Sequence, residues 1–383
     1  MQSLTKLSHI LTNKEFEKYL DNIKNNLDTL HFFINTDTPY FFLLNNDITL
    51  KLIELHSQSW HFDNLLNSFS DFAKNQIIQS FLIEEIESTN SIENIHSTKH
   101  DIFYLLNNYS SSPNKKIISI TNSYKLLLSK PQIDISKLED IRNIYDELMH
   151  LSLDEEDLPD GVYFRKSSVS ISDGNKDIHN GFYPEETINE TMTEFLNLYN
   201  NKNIDIYERL IISHFLLETI HPFYDGNGRL GRYLISKSIF EEEGSYSSLL
   251  ISTSINKNKK KYYKAFKEAR SYHEHGSLNS FVEKILDILI EGIKEANDVL
   301  IKKKLMITNI KPPFELSKSE AMLYELLSEA SLLSDYGVNN QEILKNCNAS
   351  KRTLEYFLNK LRKNNLLLDT RIEKVVYHKL ISI

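Results

Sequence analysis

Residues 205–232, "DIYERLIISHFLLETIHPFYDGNGRLGR", decide how the rest of the chain is read. From 205 to 220 the apolar residues fall on nearly every face of a helical turn, which marks a buried helix. The run stops at His221-Pro222. Gly226, Gly228 and Gly231 then crowd into six positions of a chain with only 10 Gly in 383 residues. Glycines where a loop becomes a helix let the backbone turn tightly and approach a ligand closely. "LGRYLISKSIFEEEG" continues as a second helix, with Gly244 as its stop. Scarce Gly and Pro and a dominant helical period predict a mainly α fold.

The loop also has a chemistry. Exposed N–H groups at a helix start, with the helix dipole behind them, form an anion site. Arg229 and Arg232 are three apart and share a helix face. Two guanidinium forks beside such a nest suit a polyphosphate. Asp225 offers a hard oxygen ligand of the kind that holds Mg²⁺ jointly with phosphates. His221 is the one group here that exchanges a proton near neutral pH. Base, metal ligand, phosphate cradle and charge clamp together read as a phosphate-transfer site.

At 383 residues, 40 % hydrophobic and 25 % charged, the chain is globular and long enough for two or three domains. A net charge of -9 gives no whole-protein attraction to nucleic acid or anionic membrane, so any basic patch is local. Cys347 is the only cysteine, which excludes an internal disulfide and a Cys-built zinc site. Neither a signal peptide nor an apolar run long enough for a membrane helix is present, so the expectation is a soluble cytoplasmic protein with no membrane partner.

Residues 1–110 read as helical, with a polar break at "NTDTPY" and a clear helical period over 72–95. "NNYSSSPNKK" (107–116) reads as a loop. In 161–182 the alternation Val169-Ser170-Ile171 and the turn signal Asp173-Gly174 predict a small β-hairpin. Pro312-Pro313 mark a linker, after which helix, turn, helix and two strands give the order of a winged helix. Its helix 351–363 carries Lys351, Arg352, Lys360, Arg362 and Lys363 against Glu355, with Ser350 as N-cap. Residues 311–383 hold 11 basic and 9 acidic groups, so contact with DNA and contact with protein both stay open.

"HPFYDGNGRLGR" resembles the signature of the Fic family, H-x-F-x-D/E-G-N-G-R-x-x-R, at every specified position. The resemblance implies a helical enzyme that transfers AMP from ATP to a Ser, Thr or Tyr hydroxyl of a protein. It makes His221 the base and Asp225 the Mg²⁺ ligand. Gly226, Asn227 and Gly228 would form the anion hole, with Leu230 and Gly231 in the same ATP-binding stretch. Arg229 would contact the phosphates, Arg232 the γ-phosphate, and Phe223 would anchor the loop in the core. The hairpin at 169–179 corresponds to the family's flap, which aligns the target segment by strand pairing.

"NKKKYYKAFKEAR" (258–270) resembles the family's adenine-lining helix, with Tyr262 and Tyr263 as candidates and core packing as the alternative. Relatives with Asn where Arg270 stands leave that position's contacts open. "TNSIEN", Thr89 to Asn94, matches the inhibitory motif [ST]-x-x-x-E-[GN], so Glu93 would pair with Arg232 and tilt the γ-phosphate away. This resembles the class with an N-terminal inhibitory helix on the same chain.

The expected architecture is therefore a helical N-terminal region (1–110), a Fic catalytic core (111–305) and a winged helix (306–383). The expected partners are ATP, Mg²⁺, and a target protein or the chain itself, with a homodimer open. The alternatives are removal of AMP, transfer of another phosphate-linked group, and a nucleotide-sensing DNA-binding regulator.

Overall fold

A computed structural model describes residues 4–33, 36–37, 39–108, 117–129, 134–149, 151–172 and 177–381, with 171, 172 and 177–179 described by backbone alone. The described chain is mainly α-helix with short antiparallel ladders. It divides into two compact units, Met1–Ser59 with Glu85–Ile293, and Trp60–Glu84 with Lys294–Ile383.

The first unit begins with α1 (Leu4–Ile10) and α2 (Asn13–Lys24). A capping box between Thr12 and Glu15 starts α2. A hairpin follows, β1 (Leu30–Phe32) and β2 (Tyr40–Phe42), in the stretch expected to be a break between helices. All three residues of β2 are buried. The ladder continues beyond β1, because Phe41 N donates to Gly276 O and Leu278 N donates to Phe41 O, both at 2.9 Å. Helices α3 (Asn46–Asn67) and α4 (Asp71–Ile92) contribute residues to both units.

Then come α5 (Lys99–Leu106), α6 (Ile118–Leu128) and α7 (Leu138–Met149). The loop expected at 107–116 lies outside the described residues from 109 onward. The hairpin expected near 169–179 is present as β3 (Ser170–Ser172) and β4 (Asp177–Asn180), antiparallel with Ser170 opposite Asn180. Its turn, Asp173-Gly174, lies outside the described residues. Helices α8 (Glu185–Tyr199) and α9 (Ile206–Ile220) lead to the glycine-rich loop. Every residue of α9 except Glu218 is buried, as the all-round apolar pattern requires. Helix α10 (Asn227–Glu243) ends at Gly244 with φ +67, and α11 (Ile251–Lys257), α12 (Lys259–Ala269) and α13 (Asn279–Asn309) complete this part of the chain.

In the second unit, α14 (Lys318–Leu333) is started by a Ser317–Glu320 capping box. There follow β5 (Val338–Asn339), α15 (Asn340–Asn346), α16 (Lys351–Lys363), β6 (Leu367–Ile372) and β7 (Val375–Leu380). The sheet order is β5–β7–β6, all antiparallel. Ser350 caps α16, accepting from Thr353 N at 3.0 Å. Leu354, Phe357, Leu358 and Leu361 are its buried stripe. Two of its five basic groups are engaged locally: Lys360 with Glu320 at 2.8 Å and Arg362 with Asp369 at 2.6 Å.

One buried carboxylate fixes the C-terminal half of α4. Glu85 is 0 % exposed and accepts from Ser252 N at 2.7 Å, Thr253 N at 3.0 Å and the Thr253 hydroxyl at 3.2 Å. Burial pushes its carboxyl up, and these hydrogen bonds pull it back. Glu85 and Thr89 are four apart and share one face of α4, and Glu93 follows at the same spacing in the turn just past its end. Glu85→Ala would strand two N–H groups at the start of α11. We expect it to cost about 3 kcal/mol, read as a lower urea midpoint, with Glu85→Gln recovering part of the loss.

Candidate active site

The loop between α9 and α10 is held on all sides. His221 closes α9 in the left-handed region (φ +53), with its N–H on Leu217 O at 2.8 Å. For a non-glycine residue that conformation costs about 1–2 kcal/mol, so its surroundings must impose it. Arg165, fully buried, supplies the grip. Its Nε donates to His221 O at 2.9 Å, and its Nη2 donates to Phe182 O at 2.8 Å. The guanidinium also reaches Ser167 O, so one side chain ties both flanks of the β3–β4 hairpin to the loop.

Phe223 is 0 % exposed and lies flat on Tyr145 of α7, 3.5 Å between ring centres. Phe164 meets its other neighbourhood edge-on at 5.4 Å. Asn227 clasps the loop to itself: its side chain donates to Phe223 O at 2.8 Å and accepts from Phe223 N at 3.1 Å. Tyr145 donates its hydroxyl to Asp225 O at 2.8 Å. Gly226, at φ +81, starts α10, and a Cβ there would lie 2.9 Å from Met149 Sδ. The loop therefore rests on α7 as a platform, with the first N–H groups of α10 presented at its rim.

Both signature arginines are 1 % exposed. Arg229 donates to Asp225 Oδ2 at 3.0 Å and to Ser152 Oγ at 3.4 Å. Burial holds its guanidinium below the usual arginine range, against the pull of Asp225. Arg232 points to α4 instead. It donates to Thr89 Oγ1 at 3.0 Å, to Thr89 O at 3.1 Å and to Glu93 Oε1 at 2.7 Å. Burial alone would lower Arg232, but the Glu93 carboxylate overrides it and raises it. Asn94 then takes φ +56, a conformation that Gly and Asn accept most readily. Its side chain accepts from Lys259 Nζ at 3.2 Å. Glu93 also fills the space over Gly228, where a Cβ would lie 2.3 Å from its Oε1.

The two tyrosines of α12 part company. Tyr262 is buried, with its hydroxyl 2.6 Å from His214 Nε2. Burial pushes His214 down to about 3, so it is neutral and accepts from the tyrosine. Gly231 packs on the same imidazole; a Cβ there would lie 2.4 Å from its Nδ1. Leu230 is fully buried. Tyr263 is half exposed and donates to Ile92 O at 3.1 Å, at the end of α4. Arg270 donates to Glu218 O at 3.0 Å and lies over the rings of Phe266 and Phe215.

The structure thus brings His221, Asp225, Gly226, Asn227, Gly228, Arg229, Arg232, Thr89, Glu93 and Asn94 to one locus. Tyr262 sits behind it in the core. Sequence reading passed over Arg165, Tyr145 and Glu218. Glu218 is three residues before His221, one helical turn away, and its Oε2 is 3.9 Å from His221 Nδ1. Its Oε1 is buried without a hydrogen-bond partner. Burial, then the charge of Glu93, push its carboxyl up to about 7, against Arg232 and Arg270.

Residues 134–238 match the family model described as the Fic/DOC family. The chain is 29 % identical over 120 residues to a protein of Aquifex aeolicus named a probable protein adenylyltransferase. That alignment spans 27 % of this chain and 37 % of the relative's length. The fold resembles the crystal structure of a Fic family protein from Desulfovibrio desulfuricans G20, with a TM-score of 0.56 and 19 % identity over 89 % of this chain and 97 % of that one. A Fic-1 fragment from C. elegans aligns with a TM-score of 0.48 and 15 % identity over 67 % and 73 % of the two chains.

Glu218 has a consequence for stability. Its folded carboxyl is raised above the ordinary value, so the folded chain holds a proton that the unfolded chain releases. Stability from this group is present below about 4.5 and is lost as pH rises toward 7. Glu218→Gln removes the penalty. Between pH 5 and 8 the variant should gain on the order of 2 kcal/mol relative to wild type, measured as the difference between their urea curves.

Proposed function

We propose that this chain is a protein adenylyltransferase, moving AMP from ATP to a Ser, Thr or Tyr hydroxyl of a target protein or of itself, and that Glu93 holds it in check. The observation that carries the reading is the Glu93–Arg232 contact beside Gly228. A carboxylate occupies the guanidinium fork and the space over the glycine where, on the Fic reading, ATP phosphate belongs. Phosphoryl-type transfer needs chiefly positioning and charge neutralisation, and the loop is built to position.

In this mechanism His221 takes the proton of the acceptor hydroxyl. The oxygen bonds to the α-phosphorus, the bond from that phosphorus to the bridging oxygen breaks, and pyrophosphate leaves. Gly226, Asn227 and Gly228 direct backbone N–H groups at phosphate oxygens, and Arg229 adds its charge. Arg232 meets the γ-phosphate once Glu93 has moved. The β3–β4 hairpin would align the acceptor segment.

Asp225 suits Mg²⁺. Its side chain is 51 % exposed and one of its oxygens is 3.0 Å from Arg229. No cluster of three or more protein ligands occurs among the described residues. A single carboxylate, completed by substrate phosphates and water, is how Mg²⁺ is commonly held. The bound ion would neutralise phosphate charge.

The order α14–β5–α15–α16–β6–β7 supports reading 306–383 as a winged-helix domain. Lys360 and Arg362 are engaged inside it, and among the described residues Lys351, Arg352 and Lys363 make no ion pair, which leaves them for an outside partner.

The test is transfer of label from α-labelled ATP with Mg²⁺ onto protein. Glu93→Gly should raise label about tenfold or more over wild type, and adding His221→Ala should abolish it. Equal label in wild type and Glu93→Gly would remove the inhibitory role. No label in any of them, with ATP still bound, would move the reading to AMP removal, another transferred group, or a nucleotide-sensing regulator.

A further inference from the structure

At the other end of α9 from His221, the first unit holds a cavity of about 390 Å³ that the proposed transfer does not use. Glu208 lines it, on the first turn of α9. This side chain is 5 % exposed, and among the described residues no hydrogen bond or ion pair involves its carboxylate. A buried carboxyl without a partner is costly to ionise. Burial first, and the charge of Asp205 second, push it up to about 7.

The neighbouring groups are already committed to one another. Asp205 Oδ1 accepts from Tyr207 N at 3.0 Å and Glu208 N at 3.4 Å, and its Oδ2 lies 2.7 Å from His56 Nε2 on α3. His56 Nδ1 faces Glu243, just before the stop of α10, at 3.4 Å. The hydrogen bond to Asp205 raises His56, so His56 is shared between the Asp205 and Glu243 carboxylates. Asp28 adds an acid at the mouth. Glu208 is left as the free acceptor.

We propose that this cavity binds a primary alkylammonium group. The walls are apolar, from Leu30, Phe42, Leu44, Leu52, Ile53 and Ile204, which suits an alkyl stem. Glu208, Thr49 and Asn203 line the same space, offering acceptors for the three donors of an ammonium head. A bare metal ion fits poorly, because no group of three or more His, Asp or Glu closes up to hold one among the described residues. The chemistry is shared by a lysine side chain on a partner protein and by a free alkylamine. Leu44 and Ile53 are 45 % and 60 % exposed at the rim, so a longer peptide would find further apolar surface there.

The pH dependence follows from the carboxyl. The amine stays charged to about pH 10, whereas Glu208 is ionised only above about 7. Affinity should therefore rise from pH 6 to 8 and level off, with Asp28, Asp205, Glu243 and His56 as the other charges facing the site.

The experiment is calorimetric titration of the full chain with butylammonium and with Nα-acetyl-lysine methylamide, with 1-butanol as the neutral control. The expected result is binding of an ammonium probe, tighter at pH 8 than at pH 6, and about tenfold weaker or absent in Glu208→Gln. Tighter binding of the lysine derivative would assign the site to a protein partner, and tighter binding of butylammonium to a small amine. Ile53→Arg, at an exposed position, should also weaken both probes by placing its own cation over the mouth. The proposal is overturned if neither probe binds, if 1-butanol binds as well, or if Glu208→Gln binds like wild type.

Discussion

A guanidinium that is 1 % exposed cannot stand alone, and Arg232 is such a group. Burying it is costly unless acceptors fill its fork; Arg165 meets that need with backbone carbonyls, whereas Arg232 meets it with an anion. That anion is Glu93, backed by the hydroxyl and carbonyl of Thr89. The need for a counter-charge and the proposed inhibition are thus one contact. A phosphate group that took the place of Glu93 would satisfy the same buried charge, so exchange of one anion for the other is physically balanced. The carboxylate partner is 31 % exposed, unlike the arginine, and so can leave for water while the arginine cannot.

That contact holds only if α4 is kept at the right height, and the fold secures it from both sides. Glu85 locks α4 onto the start of α11 two turns before Glu93. Tyr263 and Lys259 of α12 then take the last carbonyls, Ile92 O and Ser91 O. On the opposite side of α10 the loop is fixed by apolar stacking, Phe223 on Tyr145, and by Arg165 on the His221 carbonyl. The strained His221 backbone is what these restraints maintain.

The sequence carried this arrangement unevenly. The 205–232 stretch was legible because its devices are local: an all-round apolar run, glycines at a helix start, a terminal Gly244. The Glu93–Arg232 pairing was legible only through the motif resemblance, since nothing in spacing brings residue 93 to residue 232. The β1–β2 hairpin was hidden because three-residue strands rich in Phe and Leu show no alternation long enough to count. Glu85 and Arg165 were hidden for another reason. A charged side chain reads as surface until its buried partners are known, and those partners are backbone groups with no residue identity. Tyr262 and Tyr263 stand adjacent in sequence, yet successive helix positions point about 100° apart, so one is buried on His214 and the other reaches solvent.

Helix α9 links these observations. It is buried along its length and carries a carboxyl pushed up to about 7 near each end, Glu208 and Glu218. An apolar helix needs neither, and each costs stability once ionised. A helix start ordinarily favours a negative charge, but at Glu208 burial and the neighbouring Asp205 outweigh the dipole. Near the helix end Glu218 faces His221, and on the proposed reading its ionisation would favour the imidazolium formed if His221 takes the acceptor's proton. The two carboxyls are about 15 Å apart along the helix, too far for strong direct coupling in a screened medium. They are separate departures from the apolar rule on one rigid element. On the proposed readings each answers to a cation, the His221 imidazolium at one end and an ammonium guest at the other.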